Sequence, residues 1–358
     1  MRRIVSTLLI GAALRAFSAD TLKSDEDVIF LPTYAVPQAD GSWQVRLHGW
    51  VFEPERDSLK RRALLALLAK AIGLGDETVS ELEKRNLFKD RVRPFLVDNE
   101  GGKRLVVTIA GRQVAMDPSG RDGHCSATFA LDAATVTQHR TPLGTLAYTT
   151  GPWPGDPRVF HGSVHLIEAE GVSVISDLDD TIKVTNCRDR KDTLRKTFLE
   201  PFAAVPGMAD WYRQWAATGV RFHVVSASPW QLYPHLDPFL HATGFPLVTW
   251  HLKTVRWTKS GLESLTAPPE LHKNVVIPAI LSDFPRRRFV LIGDSGQQDP
   301  EVYDALARAH ANVVLVLIRD VTGEKSDRER YRAAFTGVAP ERWAVFTDPA
   351  TMVGRLPR

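Results

Sequence analysis

Apolar positions change their rhythm once along this chain, close to Gly171. From Val28 to Ile167 they come in short alternating runs, such as Trp43 to Val51, Arg104 to Ala110, Ala127 to Leu131 and Val159 to Ile167. The pairs Asp40-Gly41, Gly101-Gly102 and Ser119-Gly120 fall between those runs, and this predicts an antiparallel sheet or sandwich. One helical insertion interrupts it: Asp57 ahead of Leu59, Leu64, Leu65, Leu67 and Leu68 reads as a capped helix, and Glu77 to Leu87 as a second. Beyond Gly171 the runs become continuous, at Val172 to Ser176, Phe222 to Ser226, Leu247 to His251, Phe289 to Gly293 and Val313 to Ile318. Continuous apolar strands suit a parallel sheet covered on both faces. Helices fit between them, at Pro206 to Thr218 and at Glu301 to His310, the latter behind Asp299-Pro300 as an N-cap and first-turn pair. The expected fold class is therefore α/β: a C-terminal doubly wound parallel sheet and an N-terminal mostly-β, sandwich-like domain carrying a helical insertion. The expected domains are 20–168 and 169–358, with the stiff stretch Pro152 to Pro157 near the boundary.

Composition changes this picture little. The chain has 358 residues, enough for two domains, and its 44% hydrophobic content supplies packed cores. A net charge of +3 is too small to imply nucleic-acid binding. Two cysteines, Cys125 and Cys187, form neither a disulfide framework nor a metal knuckle. Residues 1–19 stand apart: Arg2 and Arg3 precede an apolar run from Ile4 to Leu14, then Ala16-Phe17-Ser18-Ala19, which is the order of a signal peptide. That pattern leads us to expect an exported protein, periplasmic or secreted; the alternative is a cytoplasmic or peripheral membrane protein with an ordinary apolar N-terminus. No run reaches the roughly 20 apolar residues of a spanning helix.

In an open parallel sheet, ligands bind beyond the carboxyl ends of the strands. Four such places carry chemistry here. Asp177-Leu178-Asp179-Asp180-Thr181 follows the first strand, Ser226-Ala227-Ser228-Pro229 the second, Lys273 precedes the helix-like stretch Val276 to Phe284, and Gly293-Asp294-Ser295-Gly296-Gln297-Gln298-Asp299 closes the fourth strand. Taken singly, each has a bland reading: Asp299 as an N-cap, Asp180 and Ser228 as turn residues, Lys273 as a solvated lysine at a helix start.

Together and in this order, the four elements resemble the haloacid-dehalogenase superfamily over roughly 172 to 320. Its phosphatases use DxDx[TV], then Ser or Thr, then Lys, then an acidic pair. The resemblance implies a Rossmann-like sheet, magnesium, and a backbone carbonyl of Asp179 completing the cation's shell. The chemistry explains the residue types. Asp177 attacks phosphorus, and a hard cation beside it keeps it ionised. Asp294 is the best second metal ligand and Asp299 belongs further out. Asp179 protonates the leaving oxygen and then activates water, Ser226 donates to a phosphoryl oxygen, and Lys273 balances charge.

Finer similarity lies in Asp177 to Lys183, Thr197-Phe198-Leu199, Val205 to Met208, Ser228 to Tyr233 and Gly293 to Glu301. These words resemble the catalytic domain of the actin-patch-protein-type phosphatidate phosphatases, with Leu178 where Ile is usual. The resemblance implies hydrolysis of phosphatidate to diacylglycerol. Two alternatives stay open: a phosphatase for soluble phosphomonoesters or phosphoproteins, and a non-catalytic lipid-binding module. A basic flap containing Lys183, Arg188, Arg190, Lys191, Arg195 and Lys196 is the expected meeting point with an anionic headgroup or a peripheral membrane surface. Trp230, Tyr233, Trp250 and Trp257 are the expected interfacial or acyl-chain contacts, against the alternative of a solvated flap and core aromatics.

Overall fold

The computed structural model describes residues 22–54, 79–254, 269–323 and 327–357. The signal-peptide reading of 1–19, the helix expected from Asp57 and Trp257 lie outside the described residues.

The N-terminal strands are β1 (Asp27–Phe30), β2 (Thr33–Pro37), β3 (Trp43–Glu53), β4 (Asp98–Asn99), β5 (Val106–Ile109), β6 (Arg112–Ala115), β7 (His124–Leu131), β8 (Thr145–Thr150) and β9 (Phe160–Leu166). They join in one sheet, ordered β1-β3-β2-β9-β8-β5-β6, with β4 and β7 also paired to β3. The long β3 makes this possible. Trp43 to Trp50 pair with β7, so its other edge is left for β2 at Trp43 to Val45 and β1 at Gly49 to Phe52. Alternate residues, Val45 and Leu47 among them, point into an apolar core with Val107, Leu131, Tyr148 and Val164, as the period-two pattern predicts. The second expected helix appears as α1 (Val79–Val92), and a short helix α2 (Ala133–His139) is capped by Asp132.

The C-terminal strands are β10 (Val172–Ser176), β11 (Arg221–Pro229), β12 (Val248–Lys253), β13 (Arg288–Asp294), β14 (Val313–Arg319) and β15 (Trp343–Phe346). All pair in parallel in the order β12-β11-β10-β13-β14-β15. The mixed α/β architecture expected from the rhythm change is present. Neighbouring residues of one strand enter opposite cores: Val174, Val224 and Ile292 face one, Ile175, Val225 and Leu291 the other. The first core is covered by α3 (Arg190–Phe198), α4 (Met208–Ala217) and α5 (Tyr233–Ala242), the second by α6 (Pro269–Asp283), α7 (Asp299–Ala309) and α8 (Asp327–Ala334).

The N-terminal region also enters both of these cores. Leu31, Phe88, Val92 and Phe95 belong to the first, Tyr34, Val36 and Ile167 to the second. Polar contacts fasten the same seam: the Tyr34 hydroxyl donates to Asp283 at 2.7 Å and Arg46 Nη2 to the same carboxylate at 2.8 Å.

Candidate active site

Strand order reverses between β10 and β13, and at such a switch point a crevice opens beyond the strand ends. Asp177 sits at that point. Its N–H donates to Ile292 O at 2.9 Å, carrying the β10–β13 ladder one residue past the strand. The chain then turns back sharply, with Ile182 N and Lys183 N both donating to Leu178 O. Asp180 makes the turn possible: it adopts a left-handed φ of 58°, and its carboxylate accepts from the backbone N–H groups of Thr185, Asn186 and Cys187. The turn-residue reading of Asp180 fits this geometry.

Asp294 is the last residue of β13, and Asp299 opens α7. Asp299 is not the N-cap expected from the sequence. Gln298 holds that position without a side-chain bond, because the Asp299 carboxylate points inward. One oxygen pairs with Lys273 and the other accepts from Asp294 N at 3.3 Å. It lies so close over Gly293 that a Cβ there would meet its Oδ2 at 2.2 Å, which explains the glycine. Lys273 departs from its bland reading as well. It lies inside α6, not before a helix, is 1% exposed, and its Nζ is 2.8 Å from Asp177 Oδ1.

Asp177, Asp294 and Asp299 each offer a carboxylate oxygen, all within 4.8 Å of one another. Three buried acids thus face one buried ammonium. Burial pushes Asp177 up to about 7, against the pull of Lys273 and with the push of Asp299 and Asp179. Asp294 is driven well above the usual carboxylate range by burial, then by Asp299 and Asp177. Burial disfavours the Lys273 charge, but Asp177 and Asp299 outweigh it and hold that group well above the ordinary lysine value. Asp177 Oδ2 and Asp294 Oδ2 are buried with no hydrogen-bond partner. A small hard dication bound by few carboxylates answers both the unmatched charge and the bare oxygens.

Asp179 is held apart from this trio. Lys183 Nζ lies 2.6 Å from its Oδ1, Thr185 Oγ1 donates to the same oxygen at 2.6 Å, and Ser228 Oγ donates to Oδ2 at 2.8 Å. Burial raises its pKa, yet Lys183, Thr185 and Ser228 together prevail and hold the carboxyl below the usual range. Ser226 reaches it only at 3.5 Å, and its Oγ accepts from Ser228 N at 3.0 Å. The structure therefore brings all six expected residues together at this end of the sheet, with Asp177, Lys273, Asp294 and Asp299 gathered in one cluster and Asp179 and Ser226 beside Ser228.

Two expectations are corrected. Lys183 does not belong to a solvated flap; it is 1% exposed and locked to Asp179. Ser228, read as a turn residue, bonds the same carboxylate. Their signals were present: Lys183 stands four residues after Asp179, and Ser228 two after Ser226 on a strand, where alternate residues share a face. Of the proposed lipid-contacting aromatics, Trp230 and Trp250 are buried, and Trp250 Nε1 donates to Asp237 at 2.9 Å. Arg195 pairs with Asp192 and Glu200. A cavity of about 290 Å³ opens onto Asp177 and Asp179; α3 lines it with Arg190, Leu194 and Phe198, and the chain after β11 with Leu232.

The reversed strand order, with a buried acid cluster and a lysine at its switch point, defines a catalytic domain of the open-sheet α/β class. Residues 172–320 match the family model described as phosphatidate phosphatase APP1, catalytic domain. The chain is 33% identical over 162 residues to phosphatidate phosphatase APP1 of Saccharomyces cerevisiae, covering 44% of this chain and 27% of that protein. It is 29% identical over 171 residues to an uncharacterized protein of Schizosaccharomyces pombe, covering 47% and 28% respectively. The matched part thus spans just over a quarter of the length of these relatives. The likeness to the catalytic domain of a phosphatidate phosphatase thus falls on the C-terminal sheet and its helices.

Proposed function

We propose that the chain is a magnesium-dependent phosphatidate phosphatase working through an aspartyl-phosphate. The observation that carries this reading is the acid trio with two bare oxygens, set beside a cavity onto which both Asp177 and Asp179 open. Asp177, Asp294 and Asp299 would hold the ion, with the Asp179 carbonyl as the further ligand that the family resemblance implies. When bound, the ion neutralises phosphate oxygens and favours the ionised form of Asp177.

The chain's own groups divide the remaining work. With Asp177 Oδ2 turned to the ion, Oδ1, 2.8 Å from the Lys273 ammonium, is the oxygen left to attack phosphorus in line. Asp179, ionised beside Lys183 in the free protein, would take up a proton as the anionic substrate enters, pass it to the leaving alkoxide, and then take one from the water that opens the acyl-phosphate. Ser226 offers its hydroxyl on the cavity wall to a phosphoryl oxygen, while the Ser228 hydroxyl stays on Asp179. Leu194, Phe198 and Leu232 give the cavity an apolar side that suits a glycerolipid better than a sugar or nucleotide. We place the working protein at a peripheral membrane surface after export; among the described residues no helix is long and apolar enough to cross a membrane. Cell fractionation with an intact N-terminus tests the export.

Phosphate release from phosphatidate in mixed micelles, compared with sugar phosphates, nucleotides and a phosphopeptide, tests the activity. Release from phosphatidate that EDTA abolishes and magnesium restores is the expected result. Faster turnover of the soluble compounds would move the assignment to a soluble phosphomonoesterase. Liposome binding with no phosphate release from any compound would favour the lipid-binding module.

A further inference from the structure

The helix that walls the cavity is held from outside by the N-terminal region. Helix α3 ends at Phe198, and its last carbonyls have no partner within the helix. Arg91, on α1, supplies one: its Nη1 donates to Lys196 O at 3.2 Å, Thr197 O at 2.7 Å and Glu200 O at 2.6 Å. Arg91 is 4% exposed, and its guanidinium carbon lies 3.6 Å from the centre of the Phe202 ring. A cation at a helix C-terminus also matches the helix dipole. The turn after α1 adds Phe95, whose ring meets Phe198 edge-on at 5.7 Å, while Phe88 meets it at 6.5 Å. Phe198 is itself a cavity residue, and α5, which follows the lining residue Leu232, is tied to α1 through His235, which bonds Asp90 O at 3.1 Å.

We propose that the N-terminal domain shapes the substrate cavity, with Arg91 as a positioning residue that fixes α3 and so holds Leu194 and Phe198 at the right distance from the reacting carboxylates. Arg91 touches neither the carboxylates nor the cavity, so its influence falls on the fit of the substrate's organic part. The proposal rests on the phosphatidate reading only for the choice of substrate.

The test uses the full chain with Arg91→Met and Arg91→Lys. Hydrogen exchange of the amides from 193 to 200 should quicken in Arg91→Met relative to the unaltered protein. KM for long-chain phosphatidate should rise about tenfold, as expected when one or two charge-assisted bonds are lost, while kcat and the turnover of p-nitrophenyl phosphate stay unchanged. Arg91→Lys keeps the charge without the planar fork and should fall between; it carries the test if the methionine variant does not fold. Equal losses on both substrates, an unchanged KM for phosphatidate, or unchanged exchange would overturn the proposal. If the unaltered protein hydrolyses nothing, the functional reading fails on its own, and the exchange result still decides whether Arg91 fixes α3.

Discussion

The two sheets bury charge in opposite ways. In the N-terminal sheet the strands are mostly antiparallel and enclose an apolar core; the buried carboxylate there, Glu26, is matched by Lys103 at 2.7 Å. In the C-terminal sheet every strand runs the same way, so all carboxyl ends lie on one edge, and Asp177, Lys273, Asp294 and Asp299 crowd together there under cover. Antiparallel strands joined by short turns close their own ends. Parallel strands need long returns, and where the returns leave on opposite faces of the sheet they part and leave a crevice. Among the described residues, the surplus of buried acid is a property of that edge.

Variants in each sheet separate the two modes of burying charge. Asp177→Asn and Asp179→Asn should each lower turnover about a thousandfold or more, in line with loss of a nucleophile or a general acid, with circular dichroism unchanged. Normal phosphate release by either would remove the C-terminal edge from the chemistry. Lys273→Met leaves Asp177 and Asp299 uncompensated, and without added magnesium it should cost about 3–5 kcal/mol in urea unfolding. Magnesium should recover part of that loss, because a dication takes over the neutralisation; no recovery would speak against an ion among the three acids.

Acid should loosen the seam between the two regions. Burial pushes His48 and His251 down from the ordinary histidine range to about 3, and His165 to about 4. The unfolded chain then binds more protons than the folded one below pH 6.5, so stability falls as pH drops towards those values, by up to about 1.4 kcal/mol per pH unit for each histidine. His48→Gln should flatten the curve, and an unchanged slope would contradict the burial of that ring. The smallest effect belongs to the N-terminal sheet. Glu26→Gln should lower stability by about 1 kcal/mol and leave turnover as it was; a loss of turnover would mean that the two sheets are not independent in this respect.

Much of the fold was legible because burial on two faces and burial on one leave different periods. Val172 to Ser176 reads as a covered strand from its composition alone and is β10. Asp177, Asp179, Ser226 and Asp294 were legible because runs of apolar residues mark the strand ends that carry them; Lys273 and Asp299, on helices, were legible only from their order in the family resemblance. Lys183 and Ser228 were missed for a shared reason. Charge and turn preference say which residues tolerate water, but not which of them a turn folds back over a carboxylate. Asp299 shows the same limit, since Asp before Pro is a good cap in any sequence; only the glycine beneath it and Lys273, 26 positions away, draw its side chain inward.

Local pattern in the sequence was enough for the main strands, the change of architecture near Gly171 and the acids placed just beyond the strand ends, since periodicity and spacing are local properties. Tertiary structure decided which acids share an ion's reach, which lysine serves which carboxylate, and that Arg91 braces the helix lining the cavity. These depend on contacts between segments far apart along the chain, and such contacts follow from packing, which no local pattern encodes.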